Sequence, residues 1–355
     1  MIFIQQLIDG LQGGAVYGLL GMAIVIVMKS TDVPNFAAAE VGLVGVYFCW
    51  FLMSAPGGPS FPAVASIIFA LAFCALLNVF IQVTLVRPFT GLSPLPLAIC
   101  VAIFCGVGCG LYMAGHKLVD LSQPTGWVLA ISLSLAFAIL GFLSIRFGIV
   151  KSLRIDHFAL LLMTIGLVFV ISAILHLIWG SETKSLAMPW TGKRMMIGNI
   201  PVSAAQMVTI VTGFIVAIAV GAFFKTPWGV RMRAIAEDGN TARLLGINSS
   251  RVSMLAWAIA GVISGITMIL RTSQTVISTS AGEELILSGF IAAILGGFTS
   301  LGGAFIGGLI VGLSEALVGG LISTNLQPTI ALLVVVVVLL ISPNGLAAEK
   351  MRRQI

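Results

Sequence analysis

The sequence predicts an all-α integral membrane protein, a polytopic bundle of roughly 8–11 transmembrane helices that includes broken or re-entrant segments. Three observations carry that prediction. Hydrophobic residues make up 59% of the 355-residue chain and charged residues 8%, at a mean hydropathy of +1.14. Soluble domains run at about 45–50% apolar and about 25% charged. The apolar residues gather in runs of about 16–25, which at about 1.5 Å per residue match a hydrocarbon core of about 30 Å. The period-2 alternation of a porin strand is missing from these runs.

Along the chain, the candidate spans are 4–28, 35–54, 62–86, 94–115, 126–145, 157–179, 203–224, 252–271, 283–297, 303–320 and 327–342. The first contains Asp9 and has no basic stretch ahead of it, so Met1 to Met28 reads as a retained span and not a cleaved signal. The second begins at a break, Thr31-Asp32-Val33-Pro34-Asn35-Phe36. Another, Gly296-Gly297-Phe298-Thr299-Ser300-Leu301-Gly302-Gly303, separates two late spans. Non-helical backbone at membrane depth persists only when buried in protein or lining an aqueous cavity, and such breaks often border transport sites. At the surface the same segments are ordinary turns. The runs 283–297 and 327–342 are short enough to be re-entrant. Gly14 and Gly18, and Gly303 and Gly307, have the small-residue spacing that lets helices pack closely.

Charge orients the bundle. With the tail residues Lys350, Arg352 and Arg353 inside, alternation puts the N-terminus outside and leaves only Lys117, Lys184, Lys193, Arg194 and Arg271 outside, out of 18 Lys and Arg. That is the asymmetry of the positive-inside rule. The net charge of +6 is thereby spent on loops beside spans, and no nucleic-acid partner is implied. The outer loop 180–201 carries Trp190 and basic residues and suits an interfacial loop facing a periplasmic partner. The cysteines, Cys49, Cys74, Cys100, Cys105 and Cys109, all lie in apolar runs without a C-x-x-C pair and read as small packing residues.

A charged, helix-compatible stretch, Pro227 to Ile247, PWGVRMRAIAEDGNTARLLGI, is wedged between long apolar runs. Thr226 can cap a helix with Pro227 at its first position, the composition stays helical through Leu245, and Gly246 suits a left-handed stop. Gly239 weakens the centre. Mixed charge from Arg231, Arg233, Glu237, Asp238 and Arg243 faces solvent, while Ile235, Leu244 and Leu245 can grip a groove. The segment suits a rigid lever facing a separate motor; the alternative is an amphipathic loop lying on the bilayer. Intramembrane carboxylates come next, because each costs about 2.5–3.5 kcal/mol at a helix centre and so faces a cavity or partner. Glu315 and Glu40 lie inside spans, and Glu283 and Glu284 open a later one.

Two classes of chemistry are missing. The chain has no G-x-x-x-x-G-K-[ST] phosphate loop. His116, His157 and His176 are scattered and form no metal-ligand spacing. No catalytic constellation is discernible, and the chain reads as a non-enzyme.

The string from Arg233 to Asn248, RAIAEDGNTARLLGIN, resembles the cytoplasmic coupling segment of branched-chain amino-acid ABC transporter permeases, whose pattern is close to R-A-x-A-E-D…A-x-L-L-G-I-N. The family's late glycine signature looks matched by Ala292 to Gly297, Gly302-Gly303-Ala304 and Ile306-Gly307-Gly308. Its N-F-A-H-G-E motif is similar to Asn35-Phe36-Ala37-Ala38-Ala39-Glu40, with Ala38 and Ala39 in place of His and Gly. The resemblance covers nearly the whole chain.

It implies a single transmembrane permease domain over 1–355 with a cytoplasmic coupling segment at 225–251, in a bacterial inner membrane. It implies two ATP-binding cassette subunits, a second permease subunit that is a paralogue or copy, a periplasmic or surface substrate-binding protein, and surrounding membrane lipid. It implies no cofactor in this chain, with ATP used by the partner subunits. Coupling is expected to involve Arg233, Glu237, Asp238, Ala242, Leu245 and Gly246. The substrate path is expected near Asn35, Phe36, Glu40, Gly296, Gly297, Gly302, Gly303 and Glu315. Branched-chain or related amino acids are the expected cargo, and related permeases serve urea, short amides or aromatic acids. A secondary transporter or channel using Glu315 or Glu40 for ion coupling, without an ATPase, is the competing class; a membrane scaffold is the third.

Overall fold

The computed structural model describes residues 2–54, 58–86, 157–197, 200–342 and 345–346. The expected spans 94–115 and 126–145 therefore lie outside the described residues. The elements are α1 (Ile2–Thr31), α2 (Ala38–Ser54), α3 (Ala63–Ile81) continued by a π-helical turn (Gln82–Val86), α4 (His157–Trp179), β1 (Arg194–Ile197), β2 (Ile200–Ser203), α5 (Ala204–Phe223), α6 (Pro227–Glu237), α7 (Gly239–Leu244), α8 (Ser249–Thr272), α9 (Ala281–Gly296), α10 (Leu301–Leu321), a 3-10 turn (Thr324–Leu326) and α11 (Gln327–Ile341).

Among the described residues, six helices are long and apolar enough to cross a membrane: α1, α3, α4, α5, α8 and α10. The short runs stay short. At about 1.5 Å per residue, the 16 residues of α9 reach about 24 Å, less than a hydrocarbon core of about 30 Å. Ala38–Ser54 and Thr329–Ile341 are likewise short apolar helices.

α1 and α8 are the posts of the bundle, with 72% and 67% of their most apolar window buried, against 17% for α5. α1 lies along α10 at backbone distance because glycines line the seam. A Cβ on Gly14 would stand 2.7 Å from the Leu309 Cα, one on Gly18 2.8 Å from the Phe305 ring, and one on Gly10 2.8 Å from the Leu313 Cα. From the other side, Gly308 meets the backbone of Gly18 and Gly312 that of Gly14. The close approach expected of Gly14 and Gly18 is present, with Gly308 and Gly312 opposite them; Gly307 packs closely too, on Ala292 and Gly296 of α9. α2 and α3 close on α8 through Gly42 against Ser264 and Gly261 against Cys74 and Asn78. Cys49 and Cys74 are buried free thiols among packed helices, whereas Cys100, Cys105 and Cys109 lie outside the described residues. Apolar side chains such as Ile68, Phe69, Phe169, Leu177, Ile215 and Ile218 remain exposed on α3, α4 and α5, as a lipid-facing surface requires.

One element was not foreseen. The segment 194–203 forms an antiparallel strand pair, with Arg194 opposite Ser203 and Ile197 opposite Ile200. A two-stranded ribbon has only edges, so Pro201 is tolerated in it. Ser203 then begins α5 through a reciprocal capping box with Gln206, and Gln206 Nε2 donates to Asp9 of α1 at 2.6 Å. Lys184 pairs by backbone with Ile277 at the same end of the bundle, beyond the last turn of α8.

Candidate functional site

The charged segment Pro227 to Ile247 forms two helices, not one. Asp238 ends α6 and starts α7: its carboxylate accepts from the amides of Asn240 (2.9 Å) and Thr241 (3.1 Å) and from the Thr241 hydroxyl. A side chain so engaged favours an extended backbone over helix, and the φ of −154° at Asp238 is extended. These donors hold the Asp238 carboxyl below the usual carboxylate range, the Thr241 hydroxyl contributing most. The cap is therefore complete near neutral pH and is lost as pH falls through that lowered value. Thr226 occupies the expected cap position, but its hydroxyl donates back to the Phe223 carbonyl at 2.6 Å and leaves Pro227 to start α6.

Gly246 behaves as the sequence indicates. With φ of +81°, it donates to the Arg243 carbonyl while Ile247 donates to that of Ala242, both at 3.0 Å. This is the Schellman termination that glycine permits. The unit is fixed to the bundle by Met232 and Ala242, 1% and 2% exposed, and by Gly229 against Phe224. Ala242 is thus an anchor within the chain and presents no outward surface. Arg233, Glu237, Asp238, Leu245 and Gly246 are exposed. The two leucines at the tip, Leu244 and Leu245, are 88% and 75% exposed. Arg243 folds onto Asn240 and the Gly239 carbonyl, and Arg231 lies over Trp228 at 4.9 Å. The exposed part of the unit thus carries both apolar side chains, Leu244 and Leu245 above all, and the charges of Arg233 and Glu237.

The second region lies inside the bundle. The break after α1 is exposed at Asp32 and buried beyond it, with Val33, Asn35 and Ala37 fully shielded. Asn35 accepts from the Ala37 amide (3.0 Å) and donates to Asn78 of α3 (3.2 Å), and the Pro34 carbonyl accepts from Thr164 of α4 (3.2 Å). These bonds satisfy backbone and side chain where water is excluded. Phe36 faces Phe290 of α9 at 4.6 Å between ring centroids, and Phe290 meets Phe298 at 5.5 Å. Phe298 belongs to the second break, so Phe290 bridges the two. That second break is a tight turn joining α9 to α10, with Gly297 at φ +86° and Ser300 capping the Gly303 amide at 3.0 Å. Gly296 packs directly on Gly303 and Ala304, while Gly302 is exposed with open space around it.

Glu40 is 1% exposed and pressed against the Gly282 backbone at the start of α9. Glu315 belongs to a different group: Tyr17 of α1 and Arg271 of α8 lie close enough to act on its carboxylate. Asn35, Phe36, Glu40 and the 296–303 turn are thus linked through α9, and Glu315 sits apart with a cation and a phenol. Phe290, Gly282 and Tyr17 were not foreseen from sequence, where nothing distinguishes them from other span residues. Among the described residues, no group of three or more His, Cys, Asp or Glu could hold a metal ion.

A segment whose second helix is capped at both ends, anchored by Met232 and Ala242 and exposing leucines beside a helical membrane bundle, is the arrangement of a docking knob. The family profile described as "Branched-chain amino acid transport system / permease component" matches residues 106–343. The chain belongs to this family. It is accordingly a permease component, not a catalyst, and carries no cofactor; ATP is hydrolysed by a partner ATPase.

The high-affinity branched-chain amino acid transport permease LivH of Escherichia coli strain K12 is 24% identical over 98% of this chain and 96% of its own. BraD of Pseudomonas aeruginosa, described in the same words, is 24% identical over 97% and 95%. The ribose import permease RbsC of Bacillus subtilis is 32% identical, over 34% of this chain and 38% of its own. No solved structure matches the chain significantly.

Proposed function

We propose that this permease component moves branched-chain or closely related amino acids across a bacterial inner membrane by alternating access, with α6–α7 docking on an ATP-binding subunit. The observation that carries the motor half is the knob itself, whose second helix is capped at both ends and exposes Leu244 and Leu245 at its tip. Full-length similarity to permeases named for branched-chain amino acids supports the cargo half. Two ATP-binding subunits, a second permease subunit and a substrate-binding protein complete the importer. ATP-driven closure of the motor pair would tilt the knob and rock the helices to which Met232 and Ala242 fasten it. Deleting the gene is expected to remove high-affinity uptake of labelled leucine, isoleucine or valine from cells. Unchanged uptake of all three contradicts the cargo assignment.

Orientation follows from the same reading, with the N-terminus and strand pair outside and residues 225–251 and the C-terminal tail inside. Lys184, Lys193, Arg194 and Arg271 then cluster around the outer ends of α8 and the strand pair, and Arg231, Arg233, Arg243 and Arg251 lie at the inner knob. A cysteine placed at the exposed Asn240 is expected to resist an impermeant thiol reagent in sealed cells and react after permeabilisation. Labelling in sealed cells inverts the topology.

A further inference from the structure

Glu40 stands near the start of α2, fully buried, and neither carboxylate oxygen has a hydrogen-bond partner among the described residues. The Gly282 backbone lies so close that any Cβ there would strike the carboxylate, and Glu283, the next residue of α9, is near enough to act on it electrostatically. Two turns further along α2, the Tyr47 hydroxyl is also buried without a partner. An ionised carboxylate taken out of water costs several kcal/mol unless a cation is supplied. Among the described residues, the groups that act on it supply a second negative charge and a phenol. Glu283 and Glu284 are exposed at the beginning of α9, so negative charge leads from the surface to the buried carboxylate.

The walls narrow the choice of cation. One turn before Glu40, Phe36 packs on Phe290, which continues to Phe298. Hard inorganic cations collect several oxygen ligands, whereas one carboxylate beside aromatic faces suits an alkylammonium, through charge at its head and apolar or cation–π contact along its body. We propose that Glu40 receives the α-ammonium group of the transported solute and that the Phe36–Phe290–Phe298 row receives its apolar side chain. The cargo is thereby specified as an apolar amino acid with a free amino group. This rests on the amino-acid permease reading of the chain.

The test uses the complete importer in proteoliposomes, with its ATP-binding subunits, second permease and binding protein, and labelled leucine as probe. Glu40→Gln keeps the shape and removes the charge. It is expected to lower leucine uptake roughly 10- to 100-fold, the loss expected of one charge-assisted hydrogen bond, with the amount of assembled complex unchanged. Glu40→Asp is expected to restore part of the uptake, which a purely space-filling role would not do. Replacing external sodium by N-methylglucamine is expected to leave wild-type uptake unaltered. Wild-type leucine uptake by Glu40→Gln overturns the assignment alone, and so does a sodium requirement abolished by the same substitution. A wild-type importer that carries urea, an amide or an organic acid and no amino acid overturns both this inference and the reading beneath it.

Discussion

Replacing Leu244 and Leu245 together by glutamate is expected to abolish ATP-driven uptake while the chain still inserts and folds. Both side chains project at the tip of α7, 88% and 75% exposed. Substitutions at such positions usually change stability by no more than about 0.5 kcal/mol. Buried in a partner's groove, each leucine contributes about 1.5–3 kcal/mol, so losing both weakens docking by about two to four powers of ten. The added charges would also be desolvated at the contact. The measurement is co-purification with the ATP-binding subunits together with substrate-stimulated hydrolysis. Retention of the complex at wild-type yield and activity would reduce the segment to a surface loop.

Gly308→Val is expected to prevent the bundle from forming. Gly308 of α10 faces the Gly18 amide and Cα and the Gly14 carbonyl, all backbone of α1, which has no rotamer by which to yield. Overpacking a closed core costs about 1–3 kcal/mol and sometimes more. Separating two helices along their length belongs at or above that upper limit. Gly302→Val on the same helix provides the comparison, because a Cβ there meets nothing within 4 Å. The thermal stability of the detergent-extracted chain should drop sharply for the first variant and stay near wild type for the second. Equal stability would mean that the α1–α10 seam is looser than its glycines indicate.

Much of this was legible in the sequence, element by element. The helix at 157–179 has the bounds its apolar run indicates, and Gly246 adopts the positive φ its place after Leu245 suggests. What escaped depends on partners distant in sequence or on competing local bonds. A single helix from Pro227 through Leu245 was expected, but the bonds Asp238 makes to Asn240 and Thr241 outweigh helix continuity beside the weak Gly239. The strand pair has strands of only four residues with a proline in the second, too short for a periodicity to emerge.

At the inner site, Asn35, Phe36 and Glu40 were marked by their break, yet Asn78, Phe290 and Gly282, which give them their environment, come from other helices. Glu315 was marked by its charge, whereas its neighbours Tyr17 and Arg271 come from other helices. Glycine spacing signalled close packing and named no partner, because a stripe of small residues identifies a face and not what covers it.

The central claim is that α6–α7 couples a separate motor to amino-acid movement through this bundle. Its most direct test is accumulation of labelled leucine in proteoliposomes holding the full importer, with ATP at the knob side and loaded binding protein at the strand-pair side. The account predicts uptake against a gradient that requires ATP and vanishes with the Leu244 and Leu245 substitutions. Leucine accumulation that persists without ATP or without the binding protein would contradict it.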